Sequence, residues 1–179
     1  VEYLAGRAEL NEERGREAEH HFAKALEQID ESLEDSTYSE GYRMKSEVLG
    51  QLCRVKGERG NLVYLMARGP SVTWLARKAI ELDSCNGKAY IQIGASKVYP
   101  SRLYGGNPEE GIEFMLKALP MPDIEKDDQY NIYLAVGIAY DKMGDHQRAC
   151  EYLRKALALY PTNRFGQETY AKLEGTEDP

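Results

Sequence analysis

Three cysteines, three histidines and several runs of carboxylates are the side chains of this chain with the chemistry for catalysis or metal binding. Cys53, Cys85 and Cys150 are an odd number and none stands in a C-x-x-C. That spacing gives neither a disulfide framework nor a zinc finger. Cys53 falls at a core position of its helix and reads as an inert buried thiol. Cys85 lies near a turn and reads as exposed, and no histidine can be assigned to it, so nucleophilic catalysis has no base. His20 and His21 are adjacent, which on a helix points them about 100° apart. Neither has a His or Cys at i+4, so metal ligation is not supported, and His146 reads as surface. The acidic residues come in runs (Glu27, Asp30, Glu31, Glu34, Asp35; Asp123, Glu125, Asp127, Asp128), the pattern of solvated faces and spacers. No catalytic residue, cofactor site or metal site is assigned. Tyr104-Gly105-Gly106 precedes a helix start but lacks G-x-x-x-x-G-K-[ST] and follows no strand, so it reads as a tight turn rather than a phosphate cradle.

Composition narrows the remaining classes. The chain has 179 residues and 20.3 kDa, with 42% hydrophobic and 30% charged residues, enough for a packed core. Its net charge of -7 and pI of about 5.1 disfavour nucleic acid as a partner. No apolar run approaches the roughly 18 residues of a membrane span. The start at Val1 fits a processed leader and an arbitrary beginning equally, so exported, periplasmic and cytoplasmic locations all stay open.

The elements that carry these residues follow from a repeat. From Tyr130 to Asn163, Tyr133, Val136, Gly137, Tyr140, Ala149, Leu153, Ala156 and Pro161 stand at positions 4, 7, 8, 11, 20, 24, 27 and 32 of a unit of about 34 residues. Gly137 and Ala149 let two antiparallel helices approach. Gly144 and Asp145 stop one helix and start the next, and Pro161 ends the second. Gly6, Gly50 and Gly94 mark position 8 of three earlier units, with Ala18, Phe22 and Ala25 at positions 20, 24 and 27 of the first. The intervals of 44, 44 and 43 residues exceed 34, so extra residues lie between. They are placed at an acidic spacer from Ser32 to Glu40, an insertion from Glu58 to Pro70, and a loop from Tyr99 to Asn107.

Local signals agree. Ala18, Phe22, Ala25, Ile29 and Leu33 form one apolar helical face. Asn107, Pro108 and Glu110 read as N-cap, N1 and N3, and Pro120 and Pro122 close that helix. A last helix over 163–173 is expected to turn Phe165, Thr169, Tyr170 and Leu173 inward, and the tail 175–179 to fray. Leu62 to Ala67 is an apolar run inside the insertion. It reads as a helical turn buried over the edge, with a wall for an apolar ligand or an oligomer contact as the other reading.

Over nearly its full length the chain resembles the tetratricopeptide repeat family. It is similar to a bacterial subgroup with a second-unit insertion ending in Gly69-Pro70 before Arg77 to Asp83, and a third-unit loop Y-P-x-x-x-Y-G-G-x-P, here Tyr99 to Pro108. The resemblance implies an all-α, right-handed superhelix forming one domain over 1–174. Its units are 1–32, 43–86, 87–125 and 130–163, with a capping helix over 163–173. It also implies a groove lined by the first helix of each unit: Glu47, Gln51 and Arg54; Lys88, Ile91, Ala95, Val98 and Tyr99; Asn131, Leu134, Ile138, Asp141 and Lys142. Ile91, Ala95, Val98, Leu134 and Ile138 would form an apolar floor inside a charged rim, unless the last helix folds back over Leu134 and Ile138. A clamp for acidic chaperone tails is disfavoured, because Leu134, Ala135 and Ile138 stand where Lys and Asn are needed and Glu47 repels such a tail. The resemblance thus implies a non-catalytic scaffold for a protein or peptide, with a basic partner surface favoured by charge. Two alternatives are a transporter-associated accessory with a small apolar ligand walled by Leu62 to Ala67, and a homo-oligomeric structural module.

Overall fold

The computed structural model describes residues 1–12 and 14–175. Apart from Gly175, the tail expected to fray therefore lies outside the described residues. The described residues form α-helices and one 3-10 turn, with no strand among them, as the repeat pattern requires. No helix among them is long and apolar enough to cross a membrane. The chain divides into two compact units, Val1–Gln92 and Ile93–Pro179.

The first unit holds α1 (Glu2–Asn11), α2 (Gly15–Asp35), α3 (Ser39–Glu58), α4 (Leu62–Leu82) and the start of α5 (Gly87–Val98). Consecutive helices from α1 to α4 pack against one another. Ala18, Phe22 and Ala25 of α2 meet Val48, Leu52 and Val55 of α3, and Leu49 meets Val72 and Leu75 of α4. The second unit holds the rest of α5, the 3-10 turn Arg102–Tyr104, α6 (Pro108–Ala118), α7 (Lys126–Lys142), α8 (His146–Leu159) and α9 (Arg164–Glu174). Ile93, Met115, Ile132, Val136 and Leu153 are among its fully buried side chains.

The position-8 glycines explain how close these helices come. A Cβ added to Gly6 would lie 2.7 Å from the Phe22 ring, at Gly94 2.8 Å from Met115, and at Gly137 2.8 Å from Leu153. Phe22, Met115 and Leu153 all hold position 24, so one contact recurs in three helix pairs. In the second pair position 24 is Ala76, and the nearest atom to a Cβ on Gly50 is Val72 Cγ1 at 3.8 Å.

The helix starts follow the cap signals. Asn107 Oδ1 accepts from Glu110 N at 3.2 Å with Pro108 at N1, and Asp145 Oδ1 accepts from Arg148 N at 3.0 Å. Gly144 turns with φ 78°, a left-handed conformation that side chains resist.

Two local expectations are corrected, and the insertion takes a definite form. The acidic spacer is largely helical: α2 runs to Asp35 and α3 begins at Ser39, leaving three residues between them. The insertion from Glu58 to Pro70 is built into the helices, since α3 ends at Glu58 and α4 runs from Leu62 through Pro70. Proline removes one backbone donor from the helix ladder. Met66, whose carbonyl loses that donor, and Pro70 are both exposed, so water can serve it. In α9 Gly166 turns inward where Phe165 was expected. Phe165 is 57% exposed, whereas Gly166 is buried with its Cβ direction 2.8 Å from Tyr130 Oη. The helix approaches its neighbour too closely there for a ring.

Candidate partner-binding surface

In α3, Glu47 is already engaged. The Tyr3 hydroxyl donates to its Oε1 and the Arg43 guanidinium to its Oε2. Arg43 also donates twice to Glu40, at 2.7 and 2.9 Å. Burial works against the Arg43 charge, but the Glu40 hydrogen bonds and the two carboxylates outweigh it and hold the group above its usual range. Burial, then the charge and hydrogen bond of Glu47, push the Tyr3 hydroxyl far up. Glu47 thus joins α1 to α3 and is not a free rim charge. Further along α3, Gln51 is half-buried and Arg54 exposed, with Arg54 Nε 3.8 Å from Glu58 Oε1.

On α5, Lys88 and Ala95 are half-buried and Ile91 is buried. Val98 is fully buried, and a Cβ on Gly111 would lie 2.5 Å from its Cγ2. Val98 is therefore core, because α6 crosses α5 closely at Gly111. Tyr99 is exposed.

On α7, Asn131 and Asp141 are exposed, Ile138 is half-buried and Leu134 is buried. α9 meets α7 at Tyr130 and meets α8 through Arg154, which donates to Tyr170 Oη at 2.8 Å. Lys142 has a structural task. Its Nζ donates to the Val98 and Tyr99 carbonyls at 2.6 and 2.8 Å, closing the C-terminus of α5, and burial lowers its pKa. The expected floor thus reduces to Ala95 and Ile138. Gln51, Arg54, Lys88, Asn131 and Asp141 keep polar surface.

The other candidate groups are placed as follows. Cys85 is exposed, Cys53 half-buried and Cys150 buried, and burial pushes the Cys53 thiol up. His21 Nδ1 lies 2.6 Å from Glu2 Oε2, and His146 Nδ1 3.3 Å from Asp141 Oδ1. No group of three metal-ligating side chains occurs among the described residues. In the Tyr104 to Gly106 loop, Gly105 takes φ 87°, and a Cβ on Gly106 would lie 2.2 Å from the Pro100 carbonyl. Both glycines are thus accounted for by the turn itself.

The Leu62 to Ala67 run is not buried. Only Tyr64 and Leu65 face inward, Tyr64 onto the α2–α3 core and Leu65 toward Gly57. Leu62, Val63 and Met66 are exposed. This exposed side of α4 escaped the sequence reading, although Val63, Met66, Pro70 and Trp74 recur at helical spacing.

Residues 130–163 match the tetratricopeptide repeat family model. No curated protein matches the chain. Among solved structures, TTC0263, a thermophilic TPR protein of Thermus thermophilus, is similar at 21% identity and TM-score 0.60, covering 96% of this chain and 79% of its own. YrrB, described as a TPR protein with an unusual peptide-binding site, is 20% identical with TM-score 0.53 over 93% of this chain and 71% of its own. The Arabidopsis OM64 TPR domain is 22% identical with TM-score 0.51 over 69% of this chain and 94% of its own. At such identities the likeness bears on the fold. Residues 130–163 thus match a tetratricopeptide repeat in sequence, and the fold of the chain is similar to that of these repeat proteins.

Proposed function

We propose that this chain is a non-catalytic scaffold that holds a protein or peptide partner on the faces of its first helices in each repeat. The observation that carries the reading is the stripe on α7. Asn131, Leu134, Ile138 and Asp141 share one helical face, polar and exposed at both ends, with Ile138 half-exposed between them. Such a stripe offers an apolar anchor point inside polar contacts that set orientation. Within the second unit Ala95 on α5 is a further candidate for contact, and in the first unit, taken by itself, Gln51, Arg54 and Lys88 keep polar surface. Rim charges such as Arg54 and Asp141 would govern on-rate and specificity more than affinity. YrrB's described peptide-binding site on a similar fold supports the reading. A transporter accessory with an enclosed apolar ligand gains no support, because Leu62, Val63 and Met66 face solvent.

Affinity capture from the source cell, wild type against Asn131→Ala plus Ile138→Glu, tests the proposal once circular dichroism shows that both fold. The captured protein is then titrated against each. Weakening by about tenfold or more supports the reading, since that is the order expected of a lost anchor. Equal affinity removes the α7 face from the site.

A further inference from the structure

A cleft of about 170 Å³ opens between α2, α3 and α4. Leu49 of α3 and Leu75 of α4 are buried in its wall, and half-buried Leu26 of α2 joins them. Trp74 stands in the same wall with 59% of its surface exposed. The cleft lies within the first unit, whereas Ile138 of the α7 stripe belongs to the second.

One side of this cleft is rich in hydrogen-bond donors. The Arg68 guanidinium, the Ser71 hydroxyl and the Trp74 indole follow one another along α4 at steps of three residues, and all three line the cleft. Arg68 bonds the neutral Tyr64 hydroxyl and pairs with no carboxylate among the described residues. Ser71 Oγ and the Trp74 N–H have no protein acceptor among them. The neighbouring cations differ. Lys45 is held by Asp30, and Lys56 and Arg59 both by Glu19. Asp30, the acid of the cleft, is therefore neutralised by Lys45 of α3, and Arg68 is left as the uncompensated charge.

We propose that this cleft binds a small carboxylic acid with an aromatic or branched apolar body. The carboxylate sits on Arg68 and Ser71, and the body rests on Leu26, Leu49 and Leu75. A guanidinium offers two parallel N–H groups that match the two oxygens of a carboxylate. An apolar wall with a few convergent polar groups is the usual form of a small-ligand site. The size agrees, since a cavity of about 150 Å³ holds one benzene ring. A cation is the poorer ligand. The hollow of about 360 Å³ that adjoins the cleft at Arg68, on the Tyr64 side, carries Glu19 and Glu27. Those carboxylates draw positive charge there and leave the Ser71 side to an anion.

Trp74 is the only tryptophan, so its emission reports on the cleft. The full chain is titrated with phenylacetate, with phenylacetamide, which removes the charge, and with phenethylammonium, which reverses it. Phenylacetate is expected to change Trp74 emission saturably, with half-saturation on the order of 1 mM for so small a ligand. The amide and the cation are expected to bind about tenfold more weakly or worse. Arg68→Gln, at an exposed position, is expected to lose about tenfold, and Ser71→Ala about threefold. Arg102→Gln removes an exposed guanidinium of the second unit and leaves the titration unchanged. No saturable response to phenylacetate overturns the proposal. So does equal binding of phenylacetamide, tighter binding of phenethylammonium, or an unchanged titration with Arg68→Gln and Ser71→Ala.

Discussion

Lys142 Nζ donates to the carbonyl of Val98 at 2.6 Å, so a residue at the end of α7 completes the end of α5, 44 positions earlier. The same ammonium bonds Tyr99 O at 2.8 Å. The last carbonyls of a helix lack intrahelical donors, and a cation there meets both the hydrogen-bond need and the helix dipole. The loop after α5 therefore starts from a fixed point.

Replacing Lys142 with Met keeps the stem and removes the donor. The cost is expected to be about 1 kcal/mol, since the site is partly open to solvent. Urea unfolding measures it. Hydrogen exchange is expected to quicken over residues 98–107 more than over α8.

The close glycines give a paired prediction. Gly137→Ala places a methyl 2.8 Å from Leu153 and 3.3 Å from the Ala149 carbonyl, so the helices must part. Overpacking of this kind costs about 1–3 kcal/mol. Gly50→Ala meets only Val72 at 3.8 Å, and alanine in a helix interior gains about 0.5–1 kcal/mol over glycine. The two variants are expected to shift the urea midpoint in opposite directions.

The recurrence of Gly6, Gly94 and Gly137 was legible because close helix approach leaves one small residue at one position. The caps at Asn107 and Asp145 were legible for a similar reason, since each acts within three residues of its own chain. Contacts made across the fold left no such mark. Nothing near Glu47 announces Tyr3, and nothing near Lys142 announces Val98, so both read as rim charges. The acidic residues before Ser39 suit the outside of a helix as well as a spacer, and Ile29 and Leu33 beneath them settle the choice for helix. Pro70 does not end α4 because it stands on a solvent face, where water can serve the carbonyl that loses its donor. Phe165 misled because the chain needed the smaller neighbour, Gly166, at the contact.

Acid should weaken the second unit through Asp145. The Arg148 backbone N–H, and then its guanidinium, hold the Asp145 carboxyl below the usual carboxylate range. A lowered folded-state pKa stabilises at pH above the unfolded value and loses that contribution as pH falls through the folded one. The loss is expected below about pH 4. Asp145→Asn keeps a capping oxygen without the titration, so its stability should fall less steeply over that range in a pH series of thermal melts.

The three thiols should separate by access. Cys85 is exposed, whereas burial shields Cys53 and Cys150 and pushes the Cys53 thiol up. A colorimetric thiol reagent is expected to modify one cysteine rapidly in the native protein and three in denaturant. Cys85→Ser should remove the fast phase alone.

The first-helix faces are proposed to hold the partner. Hydrogen exchange of the chain with its captured partner bound reads this most directly. Added protection is expected along α7 from Asn131 to Asp141 and around Ala95 on α5. Protection confined to α4, or none on either first helix, contradicts the claim and places the binding surface elsewhere.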